Sequence, residues 1–416
     1  MKSSPLKGMR DILPREQRVR DYVQGEILKT YRAAGFERIS TPILEDMENL
    51  DKSDGGDNLN LIFKVLKRGE KLEKALAAGD EAALSDMGLR YDLTLPLSRY
   101  YAANREALPA PFKVIQTDRV YRAERPQKGR LREFVQCDID ILGDESPNAE
   151  IELIDVTARA LLAIGFDDFT VHVNDRRLLR GMLSAFGFAV ETLDSVCVSF
   201  DKLDKIGAQG VADELAEKAM PERAVRALAE FLQKGAFALD DVAALCADKS
   251  LGDALRGVID TVRRLSGGRY AVEYTPSLVR GQGYYTGMVF EVTCAAFPGA
   301  VAGGGRYDEM VGKFLGQRVP AVGFSIGFER ICAILMERGF AVPEEKPRLA
   351  LLYGAEADFA DVLQKAGALR GTYAVTVLAA AKKAGRQLDR LRQNGCAAVC
   401  FAEKYPEVKP LEQRPE

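Results

Sequence analysis

Histidine is nearly missing from this sequence: among its 416 residues only His172 occurs, in the strand-like run FTVHVND. A single imidazole excludes a metal site built from several histidines, and it leaves Ser-His or Cys-His catalysis one poor candidate. We therefore predict a structural role for His172. The seven cysteines are an odd number without a CxxC pair, which predicts buried free thiols and neither disulfides nor a zinc site.

Long apolar runs are missing too. No stretch is long enough to cross a bilayer, and the first residues, MKSSPLKGMRDILP, lack the apolar centre of a signal peptide. We therefore expect a cytoplasmic protein with no membrane partner. The formal net charge of -3 argues against indiscriminate nucleic-acid binding, and against a DNA partner, but permits a local basic surface.

Two common nucleotide-binding signatures are absent. Neither GxGxxG after a strand nor GxxxxGK[ST] occurs, so we expect no Rossmann or P-loop site. Any nucleotide must then be held by arginines and a sheet. The length of the chain predicts two or three domains with real cores.

What the sequence does contain is a pair of strand patterns joined by a basic loop. The run PFKVIQTDRVYR precedes the loop, and Leu131–Ile141 after it alternates between two faces. Period-two alternation predicts a strand with one face on a core, so we expect a hairpin. The polar face of its second strand carries an aromatic ring, an amide and two carboxylates, namely Phe134, Gln136, Asp138 and Asp140.

The loop of this hairpin has the chemistry of an anion site. Arg122, Arg125, Lys128 and Arg130 offer many donors, and each arginine has a planar fork that suits phosphate. A solvated hairpin with a charged tip would have the same composition. Phe134 favours a binding floor, because a lone aromatic ring among Arg, Gln and Asp is better explained by stacking.

Other stretches give coarser predictions. Helical spacing predicts a helix over Arg15–Ala34, followed by a strand over Phe36–Thr41. The stretch LRYDLTLPLSRYYA is interpreted as a strand that becomes a helix after Pro96. In this strand Asp92 and Thr94 would point to the same face.

The domain organisation follows from shifts in composition. Residues 1–176 and 269–340 carry strand patterns of one mixed, mainly antiparallel sheet, which indicates an α+β domain split in sequence. Residues 177–268 are rich in Ala, Leu and charge, and indicate a helical insertion. Residues 346–416 alternate strand and helix, which predicts a small α/β domain. Its second helix is predicted to carry a cationic stripe of Lys382, Arg386 and Arg390.

Several of these stretches together resemble the motifs of class II aminoacyl-tRNA synthetases, and specifically the histidyl-tRNA synthetase family. One of the matching stretches, GGGRYD, is a weak signal by itself, because glycine runs mark turns or the close approach of backbones. The matching stretches are Lys7–Pro14, Phe36–Pro42 (motif 1), Arg90–Thr94, Arg122–Glu124 with Phe134 (motif 2), Leu278–Gly287, Gly303–Asp308 and Gly323–Arg330 (motif 3).

This resemblance implies a homodimeric histidine–tRNA ligase that uses ATP, with Mg2+ entering on the ATP, L-histidine and tRNA(His). It implies no metal held by the protein alone. The implied catalytic residues are Arg280 and Arg122. The implied ATP-binding residues are Arg122, Glu124, Arg130, Phe134 and Arg330, and the implied histidine-binding residues are Asp92, Thr94, Gln136, Asp140, Arg280, Tyr284, Tyr285 and Tyr307.

The residue types suit this chemistry on physical grounds. When a carboxylate attacks the α-phosphate of ATP, charge grows on the phosphate oxygens, and fixed guanidinium groups stabilise it without a protein nucleophile. A neutral imidazole has one donor and one acceptor, so a carboxylate opposite a tyrosine hydroxyl can satisfy both.

The sequence departs from the family pattern in two places. Gln282-Gly283 stands where the family usually has Leu-Asp, and the C-terminal α/β domain is short. Two alternatives therefore stay open. One is a histidine-binding regulatory subunit that resembles the partner of short ATP phosphoribosyltransferase and charges no tRNA. The other is an adenylating or amide-forming relative that acts without tRNA.

Overall fold

The protein is described here by a computed structural model that covers residues 3–51, 60–126, 130–235, 238–280, 283–343 and 345–411. Lys128 and Gln282, which were singled out above, lie outside the described residues. The chain divides into two compact units, Met1–Phe340 and Ala341–Glu416.

The first unit contains most of the helices and strands. Its helices are α1 (Pro14–Ala33), α2 (Met47–Asp51), α3 (Glu70–Ala78), α4 (Thr94–Asn104), α5 (Asn148–Ala163), α6 (Arg176–Ala185), α7 (Leu193–Phe200), α8 (Leu203–Glu217), α9 (Glu222–Gln233), α10 (Leu239–Leu245), α11 (Ser250–Ser266), α12 (Asp308–Leu315) and α13 (Phe328–Glu337). Its strands are β1 (Glu37–Arg38), β2 (Leu44–Asp46), β3 (Lys64–Leu66), β4 (Ser85–Leu89), β5 (Phe112–Tyr121), β6 (Glu133–Leu142), β7 (Phe169–Asp175), β8 (Ala271–Tyr274), β9 (Met288–Cys294), β10 (Phe297–Arg306) and β11 (Ala321–Ile326).

An 8-stranded sheet forms the centre of this unit, with strand order β1-β5-β6-β11-β10-β9-β7-β8. The outermost pairs, β1 with β5 and β7 with β8, are parallel. The inner pairs are antiparallel. The expected α+β fold with a mainly antiparallel sheet is therefore confirmed, and strands from both ends of the split region meet where β6 pairs with β11.

The predicted hairpin is the best-formed part of this sheet. β5 and β6 pair over their whole length, from Phe112 opposite Leu142 to Tyr121 opposite Glu133. On β6, Cys137, Ile139 and Ile141 are buried in the core. This is the face that the period-two pattern assigns to the core.

The stretch between β7 and β8 is helical, as its composition predicts. In α9, Val225, Leu228 and Leu232 share one buried face, and Pro221 precedes the first turn. Gly235 follows the helix with a φ of 65°, a left-handed conformation that glycine adopts without strain.

Two local predictions were wrong. The strand predicted over Phe36–Thr41 is only the two-residue β1. The strand before Asp92 ends at Leu89, and α4 already begins at Thr94, so Asp92 lies in the turn between them. Proline is well tolerated in the first turn of a helix, where its missing N–H has no partner to lose, so Pro96 lies inside α4 and does not precede it.

The second unit has a 4-stranded sheet of order β13-β12-β14-β15, and β12 is parallel to both β13 and β14. The small α/β fold is thus as expected, with one antiparallel strand added at the edge. Lys382 precedes the second helix, so the predicted stripe is not formed by three residues of one helix. The elements are β12 (Arg348–Tyr353), α14 (Phe359–Leu369), β13 (Ala374–Ala379), α15 (Ala384–Gln393), β14 (Ala398–Phe401) and β15 (Val408–Pro410).

Candidate active site

A cavity of about 740 Å3 opens over one face of the large sheet. Residues of β6, β10 and β11 form its floor, and the segments that precede β6 and β9 contribute to its walls. Asp92 is buried and does not line the cavity. The other predicted site residues all line it, namely Thr94, Arg122, Glu124, Arg130, Phe134, Gln136, Asp140, Arg280, Tyr284, Tyr285, Tyr307 and Arg330.

Strand pairing explains how distant segments share this floor. Glu291, Gly303, Ser325 and Asp138 are successive cross-strand partners on β9, β10, β11 and β6. Directly opposed residues of a sheet point to the same face, so these four form one row across the cavity. The neighbouring row consists of Val289, Gly305, Gly323 and Asp140.

Arg280 lies over the first of these rows. Its Nη1 donates a hydrogen bond to Glu291 Oε2 at 2.8 Å. A Cβ on Gly303 would lie 2.6 Å from Arg280 Nη2 and closer still to Nη1, so the guanidinium occupies space that only glycine leaves free. Burial would lower the pKa of Arg280, but Tyr285 and Glu291 outweigh burial and the pKa is raised. The arginine is thus held as a partly buried cation.

The backbone at Arg280 is in a left-handed conformation, with a φ of 62°. This region is costly for a residue with a Cβ, and such residues concentrate at functional sites. The conformation directs the side chain into the cavity. There the guanidinium is hydrogen-bonded to Glu291 and lies against the Gly303 backbone.

Asp140 lies in the second row and is nearly fully buried. The Tyr307 hydroxyl donates to its Oδ1 at 2.6 Å. A Cβ on Gly323 would lie 2.9 Å from Asp140 Cγ and closer still to Oδ1, so this glycine also makes room for a functional side chain. Burial raises the pKa of Asp140 to about 7, although the bond from Tyr307 opposes the rise. The carboxylate therefore needs a further donor to be stable as an anion.

Three tyrosines form one wall beside Asp140. The rings of Tyr284 and Tyr285 have centroids 4.8 Å apart, and Tyr307 meets Tyr284 edge-on at 6.1 Å. Thr94 lies near the hydroxyl of Tyr284 and opposes the rise in its pKa that burial causes. This wall suits a small flat ring, because aromatic side chains offer apolar faces and polar tips together.

Asp92 is held at the turn before α4. Its Oδ1 accepts a hydrogen bond from the Leu95 backbone N–H at 3.2 Å, while Oδ2 is buried without a hydrogen-bond partner. Burial raises the pKa of Asp92 to about 6. The charge of Asp92 also contributes to the raised pKa of Asp140.

The opposite end of the cavity is cationic. Arg122 donates through Nε to the Tyr91 carbonyl at 3.0 Å, and its guanidinium lies 5.1 Å from the centre of the Phe134 ring. Glu124 has one oxygen 4.0 Å from Arg122 Nη1 and the other 3.4 Å from Arg130 Nη1. Glu124 therefore spaces these two arginines along one side.

Arg330 brings a further guanidinium to this end. It donates to the Ala300 carbonyl and lies 5.3 Å from the centre of the Phe297 ring. Its pKa is lowered, first by burial and then by the nearby positive charges of Arg130 and Arg280. Cations that repel one another in a partly buried cavity favour a multiply charged anion between them.

Glu329 holds the segments of Arg330 and Phe134 together at this cationic end. Arg20 of α1 donates to its two oxygens at 2.6 and 2.8 Å, and the Val135 N–H donates to Oε1 at 3.2 Å. Glu329 is adjacent to Arg330 and Val135 is adjacent to Phe134. Burial opposes ionisation of Glu329, but the hydrogen bonds and charge of Arg20 outweigh it and lower the pKa. One largely buried carboxylate thus links α13 to α1 and to β6.

The N-terminal segment also holds the hairpin. The Gly8 carbonyl accepts from Arg132 N at 2.8 Å, and the Lys7 carbonyl accepts from Arg132 Nη1 at 3.2 Å. Gly8 has a φ of 88°, and a Cβ there would lie 2.7 Å from Pro126 Cγ. Glycine at this position lets the segment pack directly against the base of the basic loop.

Some residues of the site were not assigned a role from the sequence. They are Asp138, Glu291, Gly303, Gly323, Ser325 and Glu329. Asp138 had a signal, because it shares the polar face of the predicted strand with Asp140. The glycines had the general signal of close backbone approach. Glu291 had none, because its contact with Arg280 depends on how the segment before β9 folds back over that strand.

The remaining predictions concern residues outside the cavity. His172 is on β7, and its ring nitrogens each lie 2.8 Å from a threonine hydroxyl, Thr275 or Thr293. All seven cysteines are free. Within the described ranges no group of His, Cys, Asp or Glu is arranged to hold a metal ion. The described helices include none that is both long and apolar enough to cross a membrane.

The mainly antiparallel sheet with arginines and an aromatic ring on its open face defines the catalytic module of a class II aminoacyl-tRNA synthetase. Two solved structures share the fold. A histidyl-tRNA synthetase from Nostoc sp. PCC 7120 matches 99% of this chain and 95% of its own, with a TM-score of 0.80 and 26% identity. A Bacillus halodurans protein described as an ATP phosphoribosyltransferase regulatory subunit/histidyl-tRNA synthetase matches 96% and 98%, with a TM-score of 0.77. At 21% identity the second comparison concerns the fold alone.

Sequence comparison identifies the family. The model of the histidyl-tRNA synthetase family matches residues 8–331. A histidine–tRNA ligase from Leifsonia xyli subsp. xyli is 44% identical over 356 residues, which are 80% of each chain. A histidine–tRNA ligase from Christiangramia forsetii is 34% identical over 81% of this chain and 78% of its own. The chain belongs to the histidyl-tRNA synthetase family, as the motifs predicted.

Proposed function

We propose that this chain is a histidine–tRNA ligase, which activates L-histidine with ATP and transfers the histidyl group to the 3' end of tRNA(His). The observation that carries the proposal is one cavity with buried carboxylates and tyrosines at one end and guanidinium groups at the other. Such a cavity can hold a small zwitterion next to a polyphosphate.

Histidine occupies the carboxylate end in this proposal. Asp140 accepts from one imidazole nitrogen, and Tyr285 reaches the other, while Tyr284 and Tyr307 line the ring. A site built for one donor and one acceptor disfavours ring isosteres that lack either, because a buried polar group is then left unpaired. The α-amino group lies toward Asp92, Thr94 and Gln136.

ATP occupies the cationic end. Its adenine lies between the Phe134 ring and the Arg330 guanidinium, with Glu124 at the edge of the base. Arg130 and Arg330 hold the β- and γ-phosphates. Planar guanidinium groups suit both tasks, because they stack on rings and bind phosphate oxygens through paired donors.

The reaction takes place between Arg122 and Arg280. The histidine carboxylate attacks the α-phosphorus in line, the bond from that phosphorus to the bridging oxygen of pyrophosphate breaks, and histidyl-adenylate forms. Negative charge grows on the α-phosphate oxygens as this happens, and preorganised cations at that point lower the barrier. Glu291 holds Arg280 in place without solvent reorganisation.

Magnesium enters this reaction bound to ATP as part of the substrate. The carboxylates at the cationic end, Glu124 and Glu291, are oxygen ligands of the kind Mg2+ prefers. Both also lie within 4.0 Å of a guanidinium nitrogen. Because these carboxylates are already paired with arginines, the phosphates of ATP would supply most of the ligands of the metal.

The rest of the chain serves the second step. We assign tRNA contacts to the unit Ala341–Glu416 and to the helical stretch between β7 and β8, and dimer formation to the motif 1 region around β1. Two copies of this chain then form the working enzyme in the cytoplasm.

The test is histidine-dependent exchange of pyrophosphate into ATP, followed by charging of tRNA(His) in the same preparation. Exchange with charging is the expected result. The Arg280→Ala variant should lose about 10²- to 10³-fold in exchange rate, as other enzymes do when one transition-state donor is removed. Arg226→Ala is the matched control, since Arg226 is exposed on α9 and pairs only at the surface with Glu222.

Other outcomes identify the alternatives. Exchange without charging would indicate an adenylating relative that acts without tRNA. Histidine binding without exchange would indicate a regulatory subunit. The five arginines that line the cavity argue against the regulatory subunit, because a protein that only senses histidine has no need of a polyphosphate site.

A further inference from the structure

We propose that Asp138 is a specificity-determining residue that binds the α-ammonium group of the amino acid, together with Asp92 and Gln136. This inference rests on the proposed function, since it names a contact of the same substrate. The family resemblance assigns no role to Asp138, and we infer its role from the residues that surround it.

Asp138 is a buried carboxylate without a sufficient partner. Its side chain lines the cavity although the residue is only 5% exposed. Oδ2 lies 3.4 Å from Gln136 Nε2, whereas Oδ1 is buried with no hydrogen-bond partner among the described residues. Burying a carboxylate in this way is costly, so such a group is rarely kept where nothing binds to it.

Its electrostatic surroundings make the cost larger. Burial raises the pKa of Asp138 well above its usual range, and the charges of Asp140 and Asp92 raise it further. Ser325 and Arg122 offset this only in part. The free protein therefore holds three carboxylates close together, and a cation delivered by the substrate would relieve their repulsion.

The unpaired acceptors match an ammonium group in number. Asp92 Oδ2 and Gln136 Oε1 are buried without a hydrogen-bond partner, as is Asp138 Oδ1. An α-ammonium group has three N–H donors and no acceptor. Asp138 and Gln136 line the cavity and can accept from this group directly, whereas Asp92 does not line it and contributes the attraction of its charge.

The positions along β6 separate this task from recognition of the ring. Asp138 and Asp140 are two residues apart on the same face of the strand, which places their Cα atoms roughly 7 Å from each other. Asp140 is bonded to Tyr307 in the aromatic wall, whereas Asp138 is next to Gln136. One histidine can therefore present its ring to Asp140 and its ammonium group to Asp138.

The experiment compares two ligands that differ only in the amino group. Binding of L-histidine and of 3-(imidazol-4-yl)propionate, which lacks that group, is measured by calorimetry on the full chain. Asp138→Asn should weaken histidine binding by about 10- to 100-fold, as expected for loss of a charged hydrogen-bond partner. Binding of the propionate should change by less than about 3-fold. Asp168→Asn, an exposed carboxylate that does not line the cavity, is the control.

A second readout separates binding from a structural role. If Asp138 is kept for the ligand, Asp138→Asn should raise the unfolding temperature of the free protein, because it removes a buried carboxyl group that is costly to ionise beside Asp92 and Asp140. A structural residue would lower it. Asp138→Ser gives the same comparison should the asparagine variant not fold.

Failure of this inference and failure of the proposed function would give different results. Equal weakening of both ligands in Asp138→Asn would overturn the assignment of the ammonium group while leaving the proposed function intact. Absence of histidine binding in the unmodified protein would overturn the proposed function, and this inference with it.

Discussion

Gly303→Ala tests the geometry of the site without replacing a charged residue. The new Cβ would lie 2.6 Å from Arg280 Nη2, whereas ordinary contact begins at 3.4 Å, so that nitrogen has to move by about 0.8 Å or more. The guanidinium cannot move freely, because Glu291 holds Nη1 at 2.8 Å and the Arg280 backbone is already in the left-handed region.

The magnitude follows from this displacement. A misplacement of about 1 Å in a catalytic group costs roughly 100-fold in rate. At about 1.4 kcal/mol per factor of 10, this is about 3 kcal/mol of transition-state stabilisation, close to the loss of a whole donor. Histidine binding in the ground state should change much less, because the change concerns the cation at the α-phosphate.

The assay is single-turnover formation of histidyl-adenylate, with histidine affinity measured separately by calorimetry. Gly25→Ala is the matched control, since Gly25 is on the exposed side of α1 and a Cβ there meets nothing within 4 Å. A Gly303→Ala rate within about 3-fold of the unmodified rate would refute the argument that Gly303 positions Arg280 for catalysis.

Three more predictions follow from the site. Asp140→Asn should weaken histidine binding by about 10- to 100-fold and leave the KM for ATP nearly unchanged. Histidine affinity should rise roughly 10-fold from pH 5.5 to 7.5 as Asp92 and Asp140 ionise, since their pKa values are about 6 and about 7. Glu329→Gln should raise the KM for ATP and lower the unfolding temperature, because Arg20 and the Val135 N–H lose a charged acceptor.

Each of these has a result that would contradict it. Equal losses for histidine and ATP in Asp140→Asn would indicate general damage to the fold. The pH series needs 1,2,4-triazole-3-alanine as a second ligand, because its ring does not titrate in this range, and a flat profile for it would exclude the carboxylates as the cause. For Glu329→Gln, an unchanged KM for ATP would mean that α13 and β6 are held together by other contacts.

The same pKa shifts predict how stability depends on pH. Between about pH 4 and pH 7 the folded protein keeps protons on Asp92 and Asp140 that the unfolded chain has released. The contribution of these groups to the free energy of unfolding therefore falls as pH rises through this window. Saturating histidine should remove part of that slope, since ionised carboxylates are then paired. Denaturant unfolding at several pH values measures both effects.

The sequence was most informative where a pattern was long and local. The alternation over 135–141 in β6 and the helical period of α1 extend far enough that both elements were predicted close to their true bounds. The prediction of a strand at Asp92 was wrong, because two or three alternating residues do not distinguish a strand from a turn that leads into a helix. Pro96 was read as a boundary although it suits a first turn equally well.

Contacts that depend on strand register were out of reach. Arg280 meets Glu291 because the segment before β9 folds back over that strand, and the pairing of β9 with β10 places Gly303 beside Glu291 and beneath Arg280. Nothing near these residues in the sequence specifies that register. The clamp of Arg20 on Glu329 joins positions 309 residues apart, so it too follows only from the assembled fold.

The strand order also decides when the sheet can be completed during synthesis. The β5–β6 hairpin can form as soon as Leu142 leaves the ribosome, but Ala321, its partner on β11, is made about 180 residues later. At 5 to 20 residues per second this delay is roughly 10 to 35 s. Throughout that time the open edge of β6 has no neighbour. The strand that carries Asp138 and Asp140 is therefore the part of the nascent chain most open to pairing with a foreign strand.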